Sequence, residues 1–299
     1  MAKQEKTTVK KSTNKKGIGQ QIQKQIGISV TLVMAVIAVM SVLIVWNMVT
    51  TSNDTELKLQ SESASLMLED FFSPFERMTE QQAVNTEIKS IINTTGAGTN
   101  IKKNIKYLSV LNNLQETKKL DNSNIKATWI ADIDANVATM SDGYTTDADF
   151  DVAARPWFAC TNTGKTILTE PYVDEASGEL VLSIASPVKN ATGKAVGISG
   201  MDVSLESIIA VMDGYKIGDR GYVMLLTGNG NFIYHPDKEL LGTSMEEMNI
   251  TSNVITAIRN KHAELLKYTV DGETKFGYLN PIGETGFVAI SCIPSGQYY

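Results

Sequence analysis

The densest chemistry in the chain lies between Phe150 and Asp174, FDVAARPWFACTNTGKTILTEPYVD, with one outlying partner at Asp202. Two prolines and no helical period mark this stretch as a recognition loop beside strands. Arg155 precedes Pro156, whose ring pushes the preceding residue into extended backbone. Residues two apart on extended backbone share a face, so Arg155 and Trp157 are expected to line one wall. A guanidinium offers a rigid fork of donors to a carboxylate, and exclusion of water strengthens that contact. Trp157 adds shape and a π face that attracts an ammonium group. Tyr172 and Asp174 repeat the logic after Pro171, with a hydroxyl as second carboxylate contact and a carboxylate as ammonium acceptor. Asp202 lies beside Ser199 and Gly200, small residues that let a ligand approach the backbone closely. One arginine with two aspartates is the complement of an α-amino acid.

Blander roles compete with these. Arg155 with Asp174 or Asp202 would also serve as an ion pair closing a loop, and Trp157 and Phe158 as core residues. His235, in YHPD, has no second His or Cys beside it and reads as a turn residue. The acidic turn from Asp142 to Asp151 lacks the spacing of a calcium loop. His235 and His262 are the only histidines, and no Ser-His-Asp, Cys-His or metal constellation is present. No catalytic residue, metal or cofactor is therefore expected. Cys160 and Cys292, far apart in sequence, read as two packed thiols, with a single disulfide as the alternative.

Several elements must position these residues. At 299 residues the chain accommodates one membrane anchor and two domains. Its net charge of −6 conceals an asymmetry, because residues 1–25 carry seven lysines against Glu5 alone. The remainder is acidic, which disfavours nucleic acid as a partner. Residues 26–49, IGISVTLVMAVIAVMSVLIVWNMV, contain no charge and are long enough to span a membrane. The lysines on their near side place residues 1–25 in the cytoplasm. Everything from about residue 50 is then extracellular or periplasmic.

Residues 50–92 follow as one long helix with apolar positions at Leu57, Leu66, Leu68, Phe71, Phe72, Phe75 and Met78, kinked at Pro74. A second helix over 101–119 presents Ile105, Leu108, Leu111 and Leu114. The period then changes to that of strands. Residues 125–140 form two strands around Asp134-Ala135-Asn136, and 180–188 with 195–205 complete a first sheet. A smaller unit echoes this plan, with strands flanking Gly228-Asn229-Gly230, a helix over 251–266 and strands at 267–270, 274–280 and 286–292.

RPWF at Arg155–Phe158, EPYVDEASGELVLSIASPV at 170–188, GKAVGISGMDVSL at Gly193–Leu205 and FIYHPDKELLG at Phe232–Gly242 follow one another in an order that resembles a known family. It is the double Cache sensor module of bacterial transmembrane receptors, chiefly methyl-accepting chemotaxis proteins. The resemblance implies an α+β fold with a membrane helix, a long stalk helix and two tandem PAS-like antiparallel-sheet domains. A membrane-distal ligand-binding domain would occupy 93–205 and a membrane-proximal one 206–299. It further implies a homodimer along the stalk, with a second membrane helix and signalling parts beyond Tyr299. The amino-acid-binding subset is similar at Arg155, Trp157, Tyr172, Asp174 and Asp202. That subset carries a tyrosine where this chain has Phe150, and the spacing from Arg155 to Tyr172 is one residue short. Tyr144 is the candidate to supply the lost hydroxyl. The expected ligand is an amino acid or similar small carboxylate; a pyrimidine, an amine or a short organic acid remain alternatives, with a histidine kinase or cyclase as output. A membrane-anchored extracellular enzyme and a ligand-free adhesive ectodomain are the rival classes.

Overall fold

The computed structural model describes residues 17–147, 149–174, 178 and 180–299. The basic stretch 1–16 lies outside them. Helical backbone covers Ile18–Val84 (α1), of which 18–51 belong to the first of two compact units and 52–84 to the second. In the first unit the helix contains an apolar window of mean hydropathy 2.9, none of it buried in protein, with the length and composition to cross a membrane.

In the second unit, residues 52–84 bury Leu57, Ala64, Leu68, Phe72 and Phe75, one stripe at helical spacing. Leu66 is 57% exposed and turns away, being two residues from Leu68, while Phe71 and Met78 pack at the margin. Helical backbone continues through Pro74, held by Phe72 and Phe75 on either side. The helix stops eight residues short of the expected end at 92. Asn85 leaves helical backbone and its side chain accepts from Glu87 N and Ile88 N, which caps a separate helix α2, Thr86–Thr94. The next helix also starts late. A 3-10 turn at Ile101–Lys103 precedes α3, Tyr107–Lys119, whose buried face is Tyr107, Val110 and Leu114. Ile105 precedes this helix and is 95% exposed, and Leu108 lies on its solvent side.

The first lobe is an antiparallel sheet of β1 (Ile125–Asp132), β2 (Val137–Met140), β3 (Ile167–Leu168), β4 (Tyr172–Val173), β5 (Leu180–Lys189) and β6 (Ala195–Ser204), in the order β2-β1-β6-β5-β3 with β4 also on β5. Strand alternation divides its residues. Ile130 and Val188 face α2 and α3, whereas Trp129, Ala185 and Ile198 face the loop and short helix α4 (Ala159–Thr163) that carry Trp157 and Cys160.

Helix α5 (Leu205–Met212) leads into the second lobe. Its strands are β7 (Lys216–Ile217), β8 (Gly221–Leu226), β9 (Phe232–Tyr234), β10 (Glu264–Val270), β11 (Glu273–Pro281) and β12 (Val288–Pro294), with α6 (Ser252–Asn260) before β10 and α7 (Ser295–Tyr298) at the end. The order β10-β11-β12-β8, with β9 on β8, repeats that of the first lobe: a hairpin, then the last strand beside the hairpin's first strand. The expected helix over 251–266 is shorter because Lys261 adopts positive φ and caps it. Cys160 and Cys292 are buried free thiols, one in each lobe.

Residues 52–84 share one core with both sheets. Leu68 and Phe72 pack with Leu182 and Val203 of the first lobe and with Val223 and Phe287 of the second. Ser291 Oγ donates to Leu57 O (2.6 Å), Asn280 Nδ2 to Ser61 Oγ (2.8 Å) and Ser199 Oγ to Gln82 Oε1 (3.2 Å). The helix is thereby fixed to each sheet by directional contacts as well as by burial.

Candidate ligand site

The β1–β2 turn holds the recognition loop in place. Asn136 adopts φ 53°, a left-handed conformation that asparagine tolerates. From there its side chain donates to Phe150 O (2.5 Å) and accepts from Val152 N (3.0 Å). Asp151 Oδ1 accepts from Ala153 N and starts a 3-10 turn, Val152–Ala154. A second such turn, Pro156–Phe158, follows at once. Arg155 between them is extended, φ −82° and ψ 144°, as its proline requires. Trp157 is not extended, so the strand alternation that was to set it beside Arg155 does not apply. The turn itself swings the indole toward the sheet, where its ring centroid lies 4.7 Å from that of Trp129.

All seven candidates, Tyr144, Phe150, Arg155, Trp157, Tyr172, Asp174 and Asp202, line one cavity on this face of the sheet. Its volume is about 40 Å³. Trp129, Ala138, Met140 and Thr146 complete the lining. Phe150 and Trp157 stack at 6.4 Å, and the Arg155 guanidinium lies 5.3 Å from the Phe150 ring and 6.0 Å from the Tyr172 ring, within cation–π range. A ring face at Phe150 therefore meets the guanidinium at the position where the amino-acid-binding subset carries a tyrosine.

Asp202 forms the floor. Across β5–β6 it faces Ser183, which donates to Asp202 Oδ1 (2.5 Å), and Trp129 Nε1 donates to the same oxygen (2.9 Å). Tyr172 Oη lies 2.8 Å from Ser183 Oγ. Because the serine proton goes to the carboxylate, the tyrosine donates to the serine. The Tyr172 proton is thus spent within the protein, and its hydroxyl presents acceptor lone pairs to the cavity in place of the expected carboxylate contact. Burial raises the Asp202 carboxyl to about 7, aided by the nearby Asp174 charge and opposed by the Ser183 and Trp129 bonds.

Gly200 serves a different partner from the one expected. It faces Trp129 across β1–β6, and a Cβ there would stand 2.1 Å from Trp129 Cζ2. The close approach is made by the indole, not by a ligand. Trp129 and Ser183 were not legible as site residues, since both sit in apolar strand runs; only the β5–β6 register places Ser183 against Asp202.

This geometry coincides with a family match. The Cache domain profile covers residues 45–299. The chain belongs to the Cache domain family. Methyl-accepting chemotaxis protein PctB of Pseudomonas aeruginosa is 40% identical over 102 residues, 34% of this chain and 16% of PctB. The match thus spans about a sixth of that relative's length. The solved ligand-binding domain of PctB, an amino acid chemoreceptor domain in complex with L-Gln, superimposes with TM-score 0.60 at 23% identity, covering 81% of this chain and 91% of that one. That of the Pseudomonas fluorescens chemoreceptor CtaA in complex with L-leucine gives 0.63 at 24%, covering 84% and 99%. The extracellular domain of a histidine kinase, mmHK1S-Z2, gives 0.64 at 16%, covering 83% and 99%. These superpositions establish the fold, two tandem Cache lobes. The family is one of sensor domains rather than of enzymes.

Proposed function

We propose that this chain is the extracellular or periplasmic sensor of a transmembrane chemoreceptor, and that its first lobe binds an α-amino acid or similar small carboxylate. The observation that carries this reading is the convergence of one guanidinium and two carboxylates with Trp157 and Tyr172 on one cavity. Arg155 takes the ligand carboxylate and Asp174 with Asp202 takes the ammonium. The amino acids bound to PctB and CtaA support the same class of ligand.

Residues 26–49 span the membrane with residues 1–25 inside, and the lobes lie outside. The helix over residues 52–84 is the stalk. Leu59 and Leu66 are exposed on it seven residues apart, the spacing of a helix pair, and they support a homodimer along this face. A cavity of about 40 Å³ holds only a few waters, so binding has to part the loop at 150–157 from the sheet. Asp202 and Ser199 share β6, and Ser199 is bonded to Gln82 of the stalk. A strand shift driven from the site is therefore felt by the helix, and signalling requires only that the ligand favour one arrangement over the other.

The test is a thermal-shift titration of the purified chain with the common amino acids, short organic acids, amines and pyrimidines. A ligand at about a hundred times its Kd stabilises the fold by roughly 2.7 kcal/mol. The expected result is a shift by one or more α-amino acids that Arg155→Ala removes. A shift confined to amines or pyrimidines, or one that survives Arg155→Ala, overturns the assignment.

A further inference from the structure

The second lobe contains its own cleft, of about 260 Å³ against 40 Å³ in the first. It occupies the corresponding place in the repeated fold. In the first lobe the cavity is walled by β1, β2, the following loop and β4 over the floor at Asp202 of β6; in the second, by β8 (Tyr222, Met224), β9 (Phe232), the loop at 235–250, β10 (Tyr268) and β11 (Glu273, Lys275). The order of strands makes these counterparts, because β8 pairs with β9 and β12 as β1 pairs with β2 and β6.

The chemistry of the cleft differs from that of the first site. Ala127 faces Asp202 across β1–β6, whereas Tyr222 faces Cys292 across β8–β12. A buried thiol thus stands where the first lobe has its ammonium acceptor. Lys275, Glu273 and Asp271 are the charged residues of the lining, and the most buried of them is Lys275, whose side chain is only 17% exposed while Asp271 is exposed. Lys275 Nζ donates to Tyr222 Oη (3.2 Å) and lies 3.8 Å from Glu273 Oε2, beyond a hydrogen bond. Glu273 sits at the rim, where Arg220 already donates to it at 3.1 Å. An ammonium has three donors, so Lys275 keeps capacity for an incoming acceptor. His235 adds no second charge. Its Nδ1 accepts from Asp237 N, which leaves the proton on Nε2 to bond Tyr222 Oη at 3.2 Å, and burial lowers its pKa. The rest of the lining includes Met224, Phe232, Met245 and Met248, with Phe232 edge-on to His235 at 5.4 Å, an apolar wall that methionines can reshape around a tail.

We propose that the second lobe is an independent small-molecule site for a monocarboxylate with a short aliphatic tail, its head on Lys275 and its tail on the methionine wall. The cleft's 260 Å³, against 40 Å³ in the first lobe, leaves room for a short-chain acid, and hexanoate is the probe of that class. The assignment goes beyond the reading of the first lobe and does not depend on it.

The test is calorimetric titration of the full 299-residue chain in detergent with sodium hexanoate and sodium acetate, against micelle blanks. Hexanoate should bind at one saturable site, more than about tenfold tighter than acetate, because only it covers the wall. Arg155→Ala should leave this binding unchanged. Lys275→Met should weaken it about tenfold or more. Met248→Trp, at the partly exposed mouth, should block it without touching the charge, which keeps the test decisive if Lys275→Met fails to fold. No saturable hexanoate heat, equal affinity for acetate, or binding that follows Arg155 and ignores Lys275 and Met248 would each overturn the proposal. Amino-acid binding that tracks Arg155 reports separately on the first lobe.

Discussion

Replacing Asp202 by asparagine separates what this carboxylate costs the fold from what it does for a ligand. Its carboxyl is raised from an ordinary 3.8 to about 7 by burial. Between those values the folded protein keeps a proton that the unfolded chain releases, so stability falls as pH rises through the window, and the whole cost is present above 7. At 1.36 kcal/mol per pKa unit the cost is about 4 kcal/mol. Asparagine has nothing to titrate, yet its side-chain oxygen can still accept from Ser183 and Trp129, which both donate to Oδ1. The variant should therefore gain on the wild type by about 4 kcal/mol between pH 4 and pH 8, read from urea denaturation at fixed ionic strength. Asp132, raised to about 6 by burial, and Glu76, raised chiefly by burial, titrate in both proteins, so the difference isolates Asp202. The same variant should bind α-amino acids roughly ten- to a hundredfold more weakly, because a neutral amide replaces a charge-assisted contact to the ammonium. Parallel pH profiles for the two proteins would refute the burial argument. Undiminished amino-acid affinity would refute the assigned role.

Three further substitutions probe the supports of the site and the stalk. Gly200→Ala places a methyl 2.1 Å from Trp129 Cζ2, so the indole must move and its bond to Asp202 is lost; about 1–3 kcal/mol of stability should go, together with ligand affinity, in denaturation and titration experiments. Asn136→Gly keeps the left-handed backbone but removes both clamps on the loop, and should weaken ligand binding while changing the melting temperature little, since glycine tolerates φ 53°. Phe72→Ala empties a fully buried position shared by the stalk and both sheets, whose ring meets Phe287 at 6.4 Å, and should cost about 3–5 kcal/mol in urea unfolding.

What the sequence made legible follows from the range over which each signal acts. A strand pair around Asp134-Ala135-Asn136 and the extended backbone at Arg155 are set by neighbours in the chain, and both are present in the fold. The helix break at Asn85 is local too, but it sits in a continuous apolar period, and an asparagine there reads equally as a solvent-facing helix residue until its side chain is seen to cap α2. The site divides in the same way. Arg155, Trp157, Tyr172 and Asp174 share one short stretch of sequence whose residue types announce a polar ligand, whereas Trp129 and Ser183 belong to the cavity through strand register alone. Their hydrogen bonds to Asp202 run across 73 and 19 residues of sequence. Register also reassigns roles. Gly200 is small because an indole lies over it, and Tyr172 turns its proton to Ser183 because Ser183 has given its own to Asp202. A carboxylate buried under one indole and one hydroxyl is thus already half solvated by the protein. The Arg155 guanidinium of the same cavity lies against the Phe150 and Tyr172 rings, so the ammonium of an amino acid is the group left to pair with Asp202.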